Sequence, residues 1–460
     1  MKSIFRIRPA LYFLSLTYAS YFLRFITLSA KNQLPLIFCF FVINRCYTSR
    51  FLLCSQTKDV MKPIFSAAVY QLISLTYSYT RHTDKNKQRN ADCVIRHMQT
   101  LNIFPAADTI ITPGKSAKLW MPKRVLFTPD ALDEPFGQQI YKRVNQFNLP
   151  VEILKNNRLT GLRGDTERET YKLAKSTLAI VNAPPSAFKL RPIPPSADFQ
   201  FHLAEGCPAH CQYCYLAGSL QGPPAIRVFA NLPLILKNTL NYQLPNRVTS
   251  FEASCYTDPL SIEHLTGSLA ETIKFFSNRP DSHLRFVTKF DAVEPLLPIE
   301  HNGRSRWRIS LNANIVSRRL EGGTAPVSAR IEALRKLALP RELDGGNYPI
   351  GVVLAPIMPV PNWQEEYSLL LDEIRQKLDF RTNLTFELIT HRFTPGSKEV
   401  LLEWYPNTNL EMDESNRAIK RNKFGGSKYV YIPETMKAMK NFFYQEINKR
   451  FPEAEILYWT

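Results

Sequence analysis

Three cysteines of this chain lie close enough in sequence to hold a metal centre together. Cys207, Cys211 and Cys214 follow a C-x3-C-x2-C pattern after an apolar run that predicts a strand. An iron–sulfur cube normally takes four thiolates. Three thiolates would leave one iron free to bind a small molecule and to pass it an electron. The spacing therefore predicts a 4Fe-4S cluster with these three cysteines as its metal ligands.

Structural zinc is the alternative use of these thiols. Such a site is closed by four ligands, usually from two paired clusters, and this sequence offers one cluster. His210 lies between two of the cysteines, where its ring would have to fold back to supply a fourth ligand. We therefore favour iron–sulfur over zinc.

The positive charge of the chain is concentrated in its first part. The 460 residues carry a formal net charge of +18, which indicates an anionic partner. Residues 1–120 hold 16 Lys and Arg against 4 Asp and Glu, whereas residues 121–460 hold 42 against 36. Two thirds of the excess positive charge thus belongs to residues 1–120, outside the region in which strands and helices are predicted below.

Cysteine usage divides at the same point. Beyond Met121 the cysteines are Cys207, Cys211, Cys214 and Cys255. Three of them form the cluster motif and leave one, so the pattern does not suggest a disulfide framework. It fits a reducing compartment, and we expect a cytoplasmic protein.

Residues 1–120 contain two apolar runs, at 10–21 and 35–43. A signal peptide or membrane anchor is the formal interpretation. However, Arg24 interrupts the first run before it reaches a full span, and the second run is too short. We interpret 1–120 as an upstream extension with a misassigned start, with a targeting segment as the alternative, and expect no stable membrane partner.

After Met121 the pattern alternates between strands and helices. Residues 121–195 predict a small N-terminal α/β region, and five prolines within 182–195 predict a boundary there. Strands are then expected at 198–204, 249–254, 284–289, 307–312, 349–355 and 384–389. Helical patterns at 232–240, 262–276, 327–337 and 363–377 separate several of them. This order implies a parallel sheet with fewer units than the eight of a closed barrel, and predicts a partial (β/α)6 TIM-like barrel over 196–395.

Residues with reactive side chains fall at the C-terminal ends of the predicted strands. Cys207 follows the first strand, Cys255 the second and Lys289 the third, and Ser310 and Asn312 lie in the fourth. In α/β barrels this end carries the chemistry. We therefore expect these side chains to share one face of the barrel.

The C-terminal segment 396–460 predicts a β-hairpin and a helix. A basic run with two glycines in its middle spans 417–428. A solvated surface loop and a DNA phosphate contact are both compatible with this run. The candidate DNA-binding residues are Lys420, Arg421, Lys423 and Lys428.

Six stretches, in order along the chain, resemble one known family. They lie at 206–216, 251–255, 285–290, 301–303, 386–389 and 391–394. Together they make residues 121–460 similar to the spore photoproduct lyase family of radical S-adenosylmethionine (SAM) enzymes. The resemblance implies a DNA repair lyase that uses a 4Fe-4S cluster and SAM to return a thymine dimer of ultraviolet-damaged DNA, 5-thyminyl-5,6-dihydrothymine, to two thymines. It also implies an electron donor such as flavodoxin or ferredoxin.

The same resemblance implies roles for single residues. Cys255 would return a hydrogen atom to the thymine radical, Tyr213 would contact the adenine of SAM, and Tyr215 would lie on the hydrogen-return path. Plain packing is the alternative for these three side chains. The cofactor site would also be lined by Lys289, Ser310 and Asn312.

One departure from the family pattern concerns the hairpin. Lys423-Phe424 stand where the family pattern has an Arg-Tyr pair before the glycines. Lys lacks the guanidinium fork of Arg, and Phe lacks a hydroxyl group. Two alternatives to lesion repair therefore stay open: an enzyme of the same family with a different substrate, such as another nucleic acid, and a non-catalytic metal-binding nucleic-acid protein.

Overall fold

The computed structural model describes residues 118–460, apart from residue 221 and residues 422–425. The strands, in chain order, are β1 (Arg124–Phe127), β2 (Val151–Ile153), β3 (Thr177–Val181), β4 (Arg191–Ile193), β5 (Ala197–Phe201), β6 (Ala204–Glu205), β7 (His210–Cys211), β8 (Ile226–Phe229), β9 (Thr249–Ala253), β10 (Ser282–Thr288), β11 (Ser305–Leu311), β12 (Glu321–Gly322), β13 (Ile350–Ile357), β14 (Leu384–Thr390), β15 (Arg417–Arg421), β16 (Ser427–Tyr431) and β17 (Glu455–Trp459). The α-helices are α1 (Pro129–Asp133), α2 (Pro135–Asn145), α3 (Glu167–Lys175), α4 (Leu232–Asn238), α5 (Glu263–Thr266), α6 (Ser268–Ser277), α7 (Asn314–Leu320), α8 (Val327–Ala338), α9 (Trp363–Lys377), α10 (Pro395–Trp404) and α11 (Pro433–Arg450). The interpretations of residues 1–117 lie outside this range.

The larger sheet is a curled half-barrel. Its strand order is β17-β14-β13-β11-β10-β9-β5-β4. Its neighbouring strands are parallel, except that β4 runs antiparallel to β5 at one edge. The six predicted barrel strands correspond to β5, β9, β10, β11, β13 and β14, so the partial-barrel prediction is confirmed. The last strand of the chain, β17, extends the parallel sheet beyond β14.

The barrel strands and helices follow from their side-chain patterns. Strand β13 is an apolar run whose residues Ile350 to Leu354 are all buried, as expected for a parallel strand covered on both faces. Helix α9 buries Tyr367, Leu370, Leu371 and Ile374, which lie on one face at helical spacing. Each element thus presents one apolar surface to the common core.

A smaller sheet lies at the N-terminal side of the described chain, with the order β2-β1-β3-β8-β6. Strands β1, β2 and β3 come from the predicted region 121–195, whereas β6 and β8 follow it in sequence. Strand β3 pairs in parallel with β8, and β6 pairs antiparallel with β8. Strands from both sides of residue 195 are therefore hydrogen-bonded within this one sheet. The domain boundaries drawn from the sequence stay a prediction.

Two local predictions differ from the structure. The helix expected over 262–276 is broken at Gly267, which has φ of 70°. The Glu263 carboxylate accepts the N–H groups of Leu269 at 2.7 Å and Ala270 at 3.1 Å, and so caps the second helix. In addition, the proline-rich segment 182–195 contains strand β4, which pairs with β5 and which the sequence did not predict.

The interior of the half-barrel holds charged groups. Arg308 donates to Glu387 at 2.9 Å and to Ser196 at 2.7 Å, and it also pairs with Glu252. Arg285 forms a further ion pair with Glu387. Each carboxylate is thus matched by a guanidinium group, as buried charges require.

No helix within the described ranges is long and apolar enough to cross a membrane.

Candidate active site

The cysteine loop, residues 206–214, is held at two places by strands from different parts of the chain. Its start follows β6, and Gly206 has φ of 81°. A Cβ atom at this glycine would lie 2.2 Å from the carbonyl oxygen of Ala225, so only glycine fits here. Further on, β7 pairs antiparallel with β12. The pairing with β12 and the close approach to Ala225 thus constrain the geometry of the loop.

The three cysteine side chains of this loop line one cavity. Cys207, Cys211 and Cys214 all contribute to its wall. The other lining residues are Tyr171, Lys175, Ala209, Leu216, Leu220, Pro224, Trp404 and Tyr405. Three thiols around one cavity provide the donor set of a 4Fe-4S cluster with one open iron, so the residues present fit this cofactor.

The zinc interpretation receives no support from His210. Its Nδ1 lies 2.9 Å from the hydroxyl of Tyr171, and His210 does not contribute to the cavity wall. Within the described part of the chain, no group of three or more His, Cys, Asp or Glu side chains is placed to hold a single metal ion.

A lysine from the N-terminal sheet region reaches the cysteine loop. Lys175 is the last residue of α3, is 8% exposed, and donates to the carbonyl oxygens of Cys207 and Ala209. Burial raises the pKa of the Cys207 thiol to about 11, and the Lys175 charge opposes this rise. The ammonium group thus lies beside the cavity wall, although sequence reasoning did not single it out.

A second cluster of polar groups lies at the C-terminal ends of β10 and β11. The Lys289 ammonium donates to Glu321 Oε1 at 2.9 Å, to Ser310 Oγ at 2.9 Å and to the Ala355 carbonyl at 3.0 Å. It lies 5.6 Å from the ring centroid of Tyr213, whose hydroxyl also donates to Glu321. The structure therefore brings together three predicted cofactor residues, and Glu321 joins them.

Glu321 is fully buried between two cations. Its Oε2 accepts from Arg330 at 2.6 Å, and both side chains are inaccessible to solvent. Arg330 also donates to the carbonyl oxygens of Ala325 at 2.7 Å and Ser310 at 3.0 Å. Although burial alone would raise it, the charges of Lys289 and Arg330 hold the pKa of Glu321 down at about 2. The carboxylate is consequently ionised at neutral pH.

Asn312 occupies the neighbouring position at the end of β11. Its side chain is 1% exposed; it donates to the Pro356 carbonyl at 2.7 Å and accepts the hydroxyl of Tyr367 at 2.7 Å. The amide therefore fixes the end of β13 next to the group around Lys289. Its role in cofactor binding stays a prediction.

Cys255 follows β9, next to a residue with a left-handed backbone conformation. Ser254 has φ of 60°; its N–H donates to Phe201 O at 2.8 Å, and its hydroxyl accepts Leu203 N–H at 3.1 Å. These bonds tie the end of β9 to the end of β5, where Cys255 leaves the strand. Burial, and then the charge of Glu252, raises the pKa of Cys255. The thiol therefore keeps its hydrogen at neutral pH.

Tyr215 adjoins the cysteine loop. It directly follows Cys214 and is 60% exposed. The phenol is therefore accessible from solvent. Its place on a hydrogen-return path from Cys255 stays a prediction.

The predicted hairpin is formed by β15 and β16, and its basic residues face one another. Lys420 lies directly opposite Lys428 in the ladder. Desolvation, and then the charges of Arg392 and Lys420, lower the pKa of Lys428. Like charges in this register are destabilising, and a bound anion would relieve the repulsion. Arg421 is exposed at the end of β15, while Lys423 and Phe424 lie outside the described residues.

Comparison with known proteins gives consistent matches over the described range. The family model "Spore photoproduct lyase" matches residues 120–460. The spore photoproduct lyase of Geobacillus sp. (strain Y412MC61) is 38% identical over 348 residues, 75% of this chain and 100% of that protein. The spore photoproduct lyase of Bacillus subtilis (strain 168) is 36% identical over 346 residues, 74% of this chain and 99% of that protein.

Solved structures give the same result. A double mutant of spore photoproduct lyase with bound AdoMet and dinucleoside spore photoproduct has a TM-score of 0.69 and 36% identity, and the match covers 75% of this chain and 100% of that chain. Spore photoproduct lyase complexed with dinucleoside spore photoproduct matches with a TM-score of 0.69 and 37% identity, at the same coverage.

Proposed function

The chain belongs to the spore photoproduct lyase family, and from this premise we propose that it is a radical SAM lyase that returns the spore photoproduct in DNA to two thymines. The observation that carries the proposal is the arrangement of Cys207, Cys211 and Cys214 around one cavity in a protein with a parallel half-barrel. When bound, the cluster and SAM would supply the one-electron chemistry that removes a hydrogen atom from the lesion. The protein's own residues position the reactants and return hydrogen.

Cys255 is the proposed hydrogen donor. Its thiol keeps its hydrogen at neutral pH, and a thiol S–H bond is weak enough to give a hydrogen atom to a carbon radical. The thymine radical left by cleavage of the bond between the two bases would take this hydrogen. Tyr215, which directly follows Cys214, would lie on the path by which the sulfur recovers a hydrogen from 5′-deoxyadenosine.

The group around Lys289 is the proposed cofactor site. Tyr213 would contact the adenine of SAM, and Lys289, Ser310 and Asn312 would line the remainder. The Lys289 ammonium already has three partners. To pair with the carboxylate of SAM it must exchange one of them, and Glu321 and Arg330 would hold the charge balance during this exchange.

The hairpin is the proposed grip on DNA. Lys420, Arg421, Lys423 and Lys428 would contact phosphate groups next to the lesion. A damaged, poorly stacked site costs less to open than an intact one, so a grip on the backbone is sufficient to present the lesion. We also propose that a small redox protein such as flavodoxin or ferredoxin reduces the cluster. The cysteine usage beyond Met121 supports a reducing compartment such as the cytoplasm.

An anaerobic repair assay tests this function. The protein, reconstituted with iron and sulfide, is mixed with a reductant, SAM and an oligonucleotide that carries the spore photoproduct. The expected result is release of 5′-deoxyadenosine and recovery of two intact thymines.

Two other outcomes would point elsewhere. Release of 5′-deoxyadenosine without repair would favour a different substrate within the family, as the Lys423-Phe424 departure allows. Neither repair nor release of 5′-deoxyadenosine from a protein with a full cluster would favour a non-catalytic metal-binding protein.

A further inference from the structure

Helix α3 contributes a buried positive charge to the cavity that the three thiols line. Lys175 ends this helix, and its ammonium is bound by the Cys207 and Ala209 carbonyl oxygens. It also lies 5.7 Å from the ring centroid of Tyr171. Both lysine and tyrosine contribute to the cavity wall.

Within the described residues, this charge has dipoles as partners but no counter-ion. Among the residues that the structure describes, none of the ion pairs includes Lys175. An unpaired ammonium is costly to bury. The cost falls if an anion fills the adjacent cavity, and a cube held by three thiolates has a net negative charge.

The same lysine determines the shape of the cysteine loop. Its two acceptors are the carbonyl groups on either side of Pro208, which is the first residue of the spacer between Cys207 and Cys211. By bridging these carbonyl groups, the ammonium holds the spacer in the form that directs Cys207 and Cys211 to one cavity. Hydrogen-bonded groups just outside a metal's ligands fix ligand orientation in this way.

We propose that Lys175 is a positioning residue of the cluster site with two separable effects. Its hydrogen bonds hold the cysteine loop ready for metal binding, and its charge stabilises the reduced cluster, which is one unit more negative than the oxidised one. The inference rests on the proposed function only in assuming that the cavity takes a redox-active cluster.

Three substitutions separate the two effects. Lys175→Met removes both the hydrogen bonds and the charge, Lys175→Gln keeps an N–H donor without the charge, and Lys175→Arg keeps both. Lys172→Met is the matched control, because Lys172 lies on the same helix and is exposed. Circular dichroism and thermal melting of the metal-free proteins show whether each variant folds.

Two measurements read out the effects without SAM or DNA. Iron and sulfide content after anaerobic reconstitution, with a chelator as competitor, reports on loop positioning. We expect Lys175→Met to lose about 10–100-fold in iron affinity, Lys175→Gln to lose less, and Lys175→Arg and Lys172→Met to match the parent protein. The midpoint potential from an EPR-monitored redox titration reports on charge, and we expect it to become more negative in Lys175→Gln but not in Lys175→Arg.

Each effect has its own contrary result. Parent-like iron affinity in a folded Lys175→Met protein would overturn the positioning role. A parent-like midpoint potential in Lys175→Gln would overturn the charge effect. If Lys175→Met does not fold, the comparison of Lys175→Gln with Lys175→Arg still decides the charge effect, and Lys175→Ala in the same iron-affinity assay decides the positioning role. Failure of lesion repair by a parent protein with a normal cluster would count against the proposed function alone.

Discussion

The substitution Glu321→Gln removes the negative charge that Lys289 and Arg330 share in the interior. Breaking a buried ion pair by removal of one partner costs about 3–5 kcal/mol. The pKa of Glu321 gives a second estimate, because it falls from 4.5 to about 2. One pKa unit is worth about 1.4 kcal/mol, so charge pairing, net of the opposing cost of burial, contributes roughly 3 kcal/mol to the free energy of unfolding. The two estimates agree, and the loss is a large share of a total that is typically about 5–15 kcal/mol.

The pH dependence of this loss follows from the sign of the pKa change. The folded protein holds the pKa of Glu321 below its ordinary value of 4.5. The stabilisation is therefore fully present above pH 4.5 and is lost as the pH falls through about 2. Urea unfolding of the metal-free protein under reducing conditions, at neutral pH and at several acidic pH values, measures the difference between parent and variant.

An exposed ion pair provides the control. Glu332 pairs with Lys377 at 3.1 Å, and both side chains are solvent-accessible. Glu332→Gln makes the same chemical change, but it should lower the free energy of unfolding by no more than about 1 kcal/mol. If Glu321→Gln costs no more than this control, or if its cost stays constant down to acidic pH, the buried charge does not stabilise the fold as described.

Three further results are expected. Cys255→Ala should keep the cluster and SAM cleavage but lose clean return of thymine, as measured by product analysis; an unchanged yield of thymine would remove Cys255 from the mechanism. Gly206→Ala should bind less iron than the parent after reconstitution, because the new Cβ would lie 2.2 Å from the Ala225 carbonyl oxygen. Replacing Lys420 and Lys428 by Gln should weaken binding to damaged and intact DNA alike, and should reduce the slope of log affinity against log salt by about 0.9 for each phosphate group that the variant no longer neutralises. An unchanged slope would place the DNA elsewhere.

The half-barrel was predictable because its signals are local. Strand β13 is an apolar run, β10 alternates between buried and more exposed residues, and amphipathic helical patterns separate several of the barrel strands. Spacing alone also identified Cys207, Cys211 and Cys214 as a set. Prediction was less accurate where a single residue interrupts a pattern: the helix expected over 262–276 is divided at Gly267, whose left-handed backbone ends one helix before the next begins.

The surroundings of the site depend on contacts between distant parts of the chain. Tyr171 and Tyr405 share a hydrogen bond across 234 positions, and Lys175 reaches a carbonyl 32 positions away. No periodic pattern links such residues. Glu321 follows Arg318-Arg319-Leu320 and gave no sequence signal, and its pairing with Lys289 could be found only from the fold.

The pairing of β7 with β12 has a consequence for biosynthesis. As the chain leaves the ribosome, Cys211 emerges well before Glu321, its partner across this ladder. Until that later segment is made, the nascent thiols lack the strand that holds them in place. Iron delivery is thus expected to follow completion of most of the polypeptide, and an assembly factor acting earlier would meet an unformed binding pocket.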